Sequence, residues 1–264
     1  MKKIIIVGLL VFGFVFSQKL TIQGSTTVLP IAQYAAEVYM DNNPNADITV
    51  RGGGSGTGIA SLIDRSTDIA NSSRPMKTKE IKTAREKGIN PVGTVIALDG
   101  IAVIVHPGNK IANISRQNLK AIFTGKITRW EKVGGSGSVI VVVSRDAASG
   151  TFEVFNEKVL ESAKLTDAAL MLASNLEVCR TVEQTPGAIG YIGFGYVADK
   201  VKAIKVDSIM PNEATVKNNS YPLSRPLYVY TDGRPKGMAK DFIDFILSEP
   251  GQRIVKEEGF IPIK

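Results

Sequence analysis

The feature that most limits how this chain can fold is an alternation. Short runs rich in β-branched residues are followed, again and again, by segments with helical periodicity. "KLTIQGS" precedes "PIAQYAAEVYMDNN", "ADITVRGG" precedes "GIASLIDRS", "DIANSSRP" precedes "TKEIKTAREKG", and "SVIVVVSR" precedes "SGTFEVFNEKVL". The pattern predicts α/β layers with mainly parallel strands. Between these units lie a long buried strand region, "VGTVIALDGIAVIVHPG", and a helix, "SRQNLKAIFTG". Towards the C-terminus the sequence predicts a helical stretch near Asp167 to Glu183 and strands in "GAIGYIGFGY", "KAIKVD" and "RPLYVYTDG". It also predicts a helical pair in "KGMAKDFIDFILSEPGQRIVKEEG", broken at Pro250 and Gly251. With 264 residues, 44% of them apolar, the chain has room for two cores of roughly 120 residues each.

The first residues, "MKKIIIVGLLVFGFVFSQKL", have the layout of a secretory signal: two lysines, an apolar run from Ile4 to Phe16, then a small residue. The run is shorter than the roughly 20 apolar residues a membrane span needs, so residues 1–17 are expected to be cleaved after Ser17. No cysteine follows to carry a lipid anchor, and the single Cys179 excludes an internal disulfide. Loss of the leader removes two lysines and no acid, taking the formal charge from +7 to +5. That mild excess favours anionic partners but is not the concentrated basic stripe of a nucleic-acid binder.

The stretch Arg51 to Ala60, "RGGGSGTGIA", holds five glycines. A phosphate-cradling GxxxxGK[ST] loop would use Gly53 and Gly58, but Ile59 stands where its lysine must be. The dinucleotide pattern GxGxxG fails as well, at Thr57 and again at Ile59. A slack linker does not fit between a strand and an apolar helix that lie so close. There remains a strand-to-helix turn whose backbone N–H groups and hydroxyls suit an anion, though a purely structural cap would use the same residues.

The pattern occurs three times. "QGSTTVLP" ends a strand at Gly24 and supplies Ser25, Thr26 and Thr27; "SRDAASGTFEVF" ends one at Arg145 and supplies Ser149, Gly150 and Thr151. With "NSSRP" at a further strand end, these turns suggest convergence on one anion, since ligands of open α/β sheets bind at the carboxyl ends of strands.

"GSTTVLP", "GGGSGTGI", "DIANSSRP", "LKAIFTGKITRWEKVGG", "VVVSRDAASGTFEVF" and "TPGAIGYIGFGY" stand in an order and spacing that resembles the substrate-binding proteins of phosphate ABC transporters, from about Leu20 to the C-terminus. The resemblance implies an α/β, two-lobed periplasmic-binding-protein fold (type II), each lobe a sheet flanked by helices, closing about a two-segment hinge. Residues 18–103 and 224–264 would form lobe I, and residues 104–223 lobe II. It implies an extracytoplasmic, periplasmic receptor, not an enzyme, that works as a monomer without cofactor or metal. Such a receptor binds inorganic phosphate, delivers it to a membrane ABC permease and takes no nucleic acid. Carried over by position, the ligand-binding residues are Thr26, Thr27, Ser55, Ser73, Arg74, Arg145, Ser149, Gly150 and Thr151.

Two positions depart from the best-known members. Ser73 stands where an Asp accepts the proton of hydrogen phosphate, and Ala147 where an acid partners the arginine, a role open to Asp146. Both changes make the site more electropositive, which leaves another tetrahedral oxyanion, sulfate or molybdate, as the alternative ligand. For Arg74 a surface salt bridge competes with a ligand role.

A secreted phosphatase would share an anion cleft, but His106 is the one histidine and no GxSxG elbow pairs with it. Use of the fold as an adhesion or signalling module stays open. Trp130 is expected to pack a loop of the second lobe, and Tyr191, Phe194 and Tyr196 to belong to its core.

Overall fold

The computed structural model describes residues 18–264; the leader expected over residues 1–17 lies outside them. Its strands are β1 (Gln18–Gly24), β2 (Ala46–Arg51), β3 (Ile69–Ser72), β4 (Pro91–Val105), β5 (Asn113–Ile114), β6 (Val141–Arg145), β7 (Leu170–Leu172), β8 (Ala188–Gly193), β9 (Lys202–Val206) and β10 (Ser224–Asp232). Its helices are α1 (Leu29–Asn42), α2 (Ser55–Ile63), α3 (Thr78–Glu86), α4 (Arg116–Phe123), α5 (Gly150–Phe155), α6 (Asn175–Gln184), α7 (Glu213–Lys217), α8 (Gly237–Leu247) and α9 (Glu249–Glu257).

The strands form one mixed sheet in the order β2-β1-β3-β10-β4-β8-β6-β7, with β9 beside β4 and β5 beside β9. Pairing is parallel in β1–β2, β1–β3, β6–β7, β6–β8 and β5–β9, and antiparallel wherever β4 or β10 takes part. The sheet is therefore mixed rather than mainly parallel. The difference comes from the two long strands that carry the chain across the middle of the molecule, each laid against neighbours running the other way.

β4 changes partners along its length. Pro91 to Gly100 pair with β10, whereas Ile101 to Val105 pair with β8 and Val103 to Val105 also with β9. In that second part both faces are covered. Ile101, Val103 and Val105 pack with Phe123 and Trp130, while Ala102 and Ile104 pack with Val178 and Val182. Burial on both faces explains the unbroken apolar run "IAVIV", where a one-sided strand would alternate. The cores divide in the same way. One gathers Ile22, Ile31, Ile69, Val229 and Phe242; another gathers Phe123, Phe155, Tyr191, Tyr221 and Leu223.

Two local expectations are corrected. Residues Leu170–Leu172 form an edge strand instead of continuing a helix, because β6 offers Val143–Arg145 as a pairing edge and tertiary pairing overrides the helical propensity of Leu and Met. The helix α6 starts only after the capping box in which Ser174 accepts from Glu177 N and Glu177 accepts from Ser174 N. The C-terminal helical pair breaks at Ser248, whose hydroxyl accepts from Gly251 N; Pro250 lies inside the first turn of α9, where a missing N–H is harmless.

Candidate functional site

Four strands deliver the site. β1, β2, β3 and β6 end at Gly24, Arg51, Ser72 and Arg145, and the turns that follow them meet. Thr27 Oγ1 lies 2.9 Å from Thr151 Oγ1, and Ser55 Oγ lies 3.3 Å from Ser73 Oγ while accepting from Ser73 N at 3.0 Å. Ser149 caps α5 by accepting from Phe152 N. All of these hydroxyl side chains are buried. The glycines are there to allow this approach. A β-carbon on Gly150 would stand 2.3 Å from Ser55 Oγ. One on Gly54, whose φ is +95°, would stand 2.6 Å from the carbonyl oxygen of Ala148. Gly56 N donates to that same oxygen at 2.9 Å, so the glycine loop sits directly on the turn that opens α5.

Two guanidinium groups enter this cradle. Arg145 is buried, and its Nε and Nη2 donate to the carbonyls of Leu172 and Ala173, while Nη2 also reaches Thr26 Oγ1 at 3.0 Å. Its Nη1 is buried without a hydrogen-bond partner, and among the described residues Arg145 makes no ion pair. Burial lowers the Arg145 pKa, and the charge of the nearby Asp146 opposes that shift without overcoming it. Asp146 does not take the partner's role, for its Oδ1 accepts from Ala148 N.

Arg225 is the second. Its Nε and Nη2 donate to Asp99 Oδ2 at 2.9 and 2.7 Å, Nη2 also reaches Thr151 Oγ1 at 3.1 Å and Thr27 Oγ1 at 3.4 Å, and Nη1 donates to the Ser73 carbonyl. Burial pushes the Asp99 carboxyl up against the pull of Arg225. The other Asp99 oxygen accepts from Phe194 N. The rest of the wall is amide and phenol. Asn175 Nδ2 donates to Thr26 Oγ1 and Thr27 Oγ1, and Tyr196 Oη donates to the Thr26 carbonyl at 2.6 Å.

Arg74 behaves differently from the other expected residues. Its Nη1 and Nη2 grip both oxygens of Glu80 at 2.7 Å, and its Nε lies 2.6 Å from Glu153 Oε2. Burial opposes the charges of Arg74 and Glu80, but their mutual contacts win, raising the Arg74 pKa and lowering that of Glu80. Arg74 is thus held by carboxylates in a buried ion cluster, not in the surface salt bridge that competed with a ligand role for it.

Sequence reasoning missed Asp99, Arg225, Asn175 and the reach of Tyr196, expected only as core. A signal was present for the first two: a lone acid in "VIALDGIAVIV" and a lone base in "PLSRPLYVY" are charges in buried strands, and such charges need partners. Trp130 packs in the core with its Nε1 on the Gly187 carbonyl, and His106 Nδ1 accepts from Gly108 N in a turn. A cavity of about 660 Å³ lies elsewhere, beside Arg116, Lys120, Lys158, Glu161 and Asp207. There Arg116 and Lys120 are matched by Asp207 and Glu161, and Lys158 donates to the carbonyls of Pro222 and Ser224.

Comparison with known proteins shows the family. Residues 17–250 match the PBP superfamily domain. The phosphate-binding protein PstS of Bacillus subtilis is 37% identical over 94% of this chain and 81% of its own length. That of Borreliella burgdorferi is 34% identical over 92% and 90%. A crystal structure from Clostridium perfringens, described as a phosphate ABC transporter substrate-binding protein with bound phosphate, superposes with a TM-score of 0.87 at 36% identity, covering 94% of this chain and 100% of that one. An ABC-type phosphate transport receptor from Vibrio cholerae gives 0.76 at 32% identity, covering 92% and 99%. The cradle of hydroxyls and buried arginines thus sits in a chain that belongs to the PstS family of phosphate-binding proteins, substrate-binding proteins of phosphate ABC transporters.

Proposed function

We propose that this protein is an extracytoplasmic receptor that binds inorganic phosphate between two lobes and hands it to a membrane ABC permease. The observation that carries the reading is Arg145: a buried guanidinium with an unpartnered Nη1 and, among the described residues, no ion-paired carboxylate, beside hydroxyls of the converging turns. A buried cation of this kind is costly unless an anion joins it, and a planar fork suits an oxyanion. The phosphate-binding relatives support phosphate as that anion.

The ligand set is Thr26, Thr27, Ser55, Ser73, Arg145, Ser149, Gly150 and Thr151, with Arg225 added from its contacts to Thr27 and Thr151. An anion entering the cradle exchanges the Thr27–Thr151 and Ser55–Ser73 hydroxyl contacts for its own oxygens, each hydroxyl turning its proton outwards to the ligand. The two-lobed reading draws support from the divided cores and from the switch of β4 between Gly100 and Ile101, with the return crossing at Ser224, where β10 begins. Lobe I would then span residues 18–100 and 224–264, a boundary three residues earlier than the sequence suggested.

Calorimetric titration of the mature protein, freed of co-purified anion, tests the proposal. Saturable heat at micromolar phosphate is expected, and none up to millimolar ligand sinks it. Sulfate is the second reading, favoured by one observation: the Asp99 oxygens are taken by Arg225 and by Phe194 N, so no free carboxylate faces the cradle to repel an anion that has no proton. Competition at two pH values separates them, since a receptor for a proton-bearing anion loses phosphate to sulfate only weakly.

A further inference from the structure

We propose that Glu153 acts as a positioning residue, latching the cradle shut by closing onto Arg74 and Lys77; this rests on the receptor reading above. Glu153 lies in α5, one turn beyond the Ser149–Thr151 segment that lines the cradle. Its Oε2 is 2.6 Å from Arg74 Nε and 2.8 Å from Lys77 Nζ, and both of these come from the chain between β3 and α3. Among the described residues, these are the only two ion pairs that join residues 104–223 to the remainder of the chain. Every other pair lies within one of the two sets.

The arrangement suits a contact that must break. Arg74 is 4% exposed, and an arginine this buried would be stranded if its sole partner left. It is not stranded, because Glu80, on the same side, holds it through two hydrogen bonds of 2.7 Å whether or not Glu153 is present. Lys77 is more than half exposed and returns to water freely, and Glu153, at 16% exposure when closed, regains hydration on opening. Opening therefore exchanges one buried ion contact for solvent without orphaning a charge, and closing reforms it. A contact present in one state and absent in the other shifts the population towards the state that has it. The cations also offset a carboxylate that would otherwise sit unneutralised one helical turn from an anion.

Glu153→Gln removes the charge and keeps the shape. Spin labels at Lys82→Cys and Glu157→Cys, on a Cys179→Ala background, report the separation across the latch in ligand-free and phosphate-loaded protein; stopped-flow mixing reports the rate of phosphate release. The expected result for Glu153→Gln is a larger long-distance population and release faster by roughly three- to thirtyfold, in keeping with the loss of a part-buried charge contact. The thermal midpoint of the ligand-free protein should stay within about 2 °C. Lys77→Ala should shift both readouts in the same direction by less. Unchanged distance distributions together with unchanged release overturn the latch, as does a large loss of ligand-free stability with the distributions unmoved. Absence of phosphate binding in the unmodified protein would overturn the receptor reading instead, and the ligand-free distances would still decide the latch.

Discussion

Arg145 and Arg74 are both buried, one ending β6 and the other just past the end of β3, yet they are matched in opposite ways. Arg74 is met by two carboxylates, and its pKa is raised; Arg145 is met by carbonyls and a hydroxyl, and its pKa is lowered by burial. Arg225 stands between them, paired with the single carboxylate of Asp99. The comparison teaches that burial of a cation does not mark a ligand site. What marks it is burial without an internal counter-ion, because the missing charge then has to come from outside.

The strongest way to break the comparison is to truncate the unmatched arginine. Arg145→Ala should weaken phosphate binding by about 2–5 kcal/mol, roughly thirtyfold to several thousandfold, as loss of one partner of a buried charge pair does. Ligand-free stability should change little or rise, since an uncompensated buried charge is removed. Titration calorimetry alongside thermal melts reads both. A variant that binds as tightly as the parent would mean that the cradle is not the anion site.

Arg225 sharpens the comparison, because one internal carboxylate already answers its charge. Arg225→Lys keeps the charge and gives up the planar fork that serves Asp99, Thr151, Thr27 and the Ser73 carbonyl together. Phosphate affinity should fall by roughly ten- to a hundredfold, less than for Arg145→Ala, with a drop in stability that the Arg145 variant does not show. Equal losses of affinity in the two variants would erase the ranking by counter-ion.

How much of this was legible beforehand divides along the same line. The alternation of β-branched runs and helical periods fixed nearly every element in place, because each is decided by local pattern. β5, α7 and β7 escaped, the last because its pairing with β6 is a non-local event imposed on helix-forming residues. The three turns and Arg145 were readable because hydroxyls and glycines cluster at strand ends. The fate of Arg74 was not, for Glu80 and Glu153 lie six residues away and on another helix, and a sequence does not say which acid a base will meet. Asp99 and Arg225 are 126 residues apart and join only where β4 and β10 pair, at the register Arg225 opposite Asp99.

The smallest effect is expected from the matched side, and there it is a matter of pH. Burial alone would raise the Glu80 carboxyl, but the Arg74 hydrogen bonds, the Lys77 amide and the two nearby cations hold it below its ordinary value of 4.5. A carboxylate whose folded pKa is lowered adds stability that is complete above its unfolded value, near pH 4.5, and is lost as the pH falls through the folded value. Glu80→Gln should therefore lower stability by about 1–2 kcal/mol at pH 7, and the gap from the parent should close progressively below about pH 4.5. Urea midpoints measured between pH 3 and pH 7 give both quantities. Phosphate affinity at pH 7 should change by less than about threefold, because Glu80 keeps Arg74 in place and the ligand is held by arginines that answer to other partners. A gap that persists undiminished at low pH would show that Glu80 contributes through packing, and a large loss of affinity would return Arg74 to the ligand set.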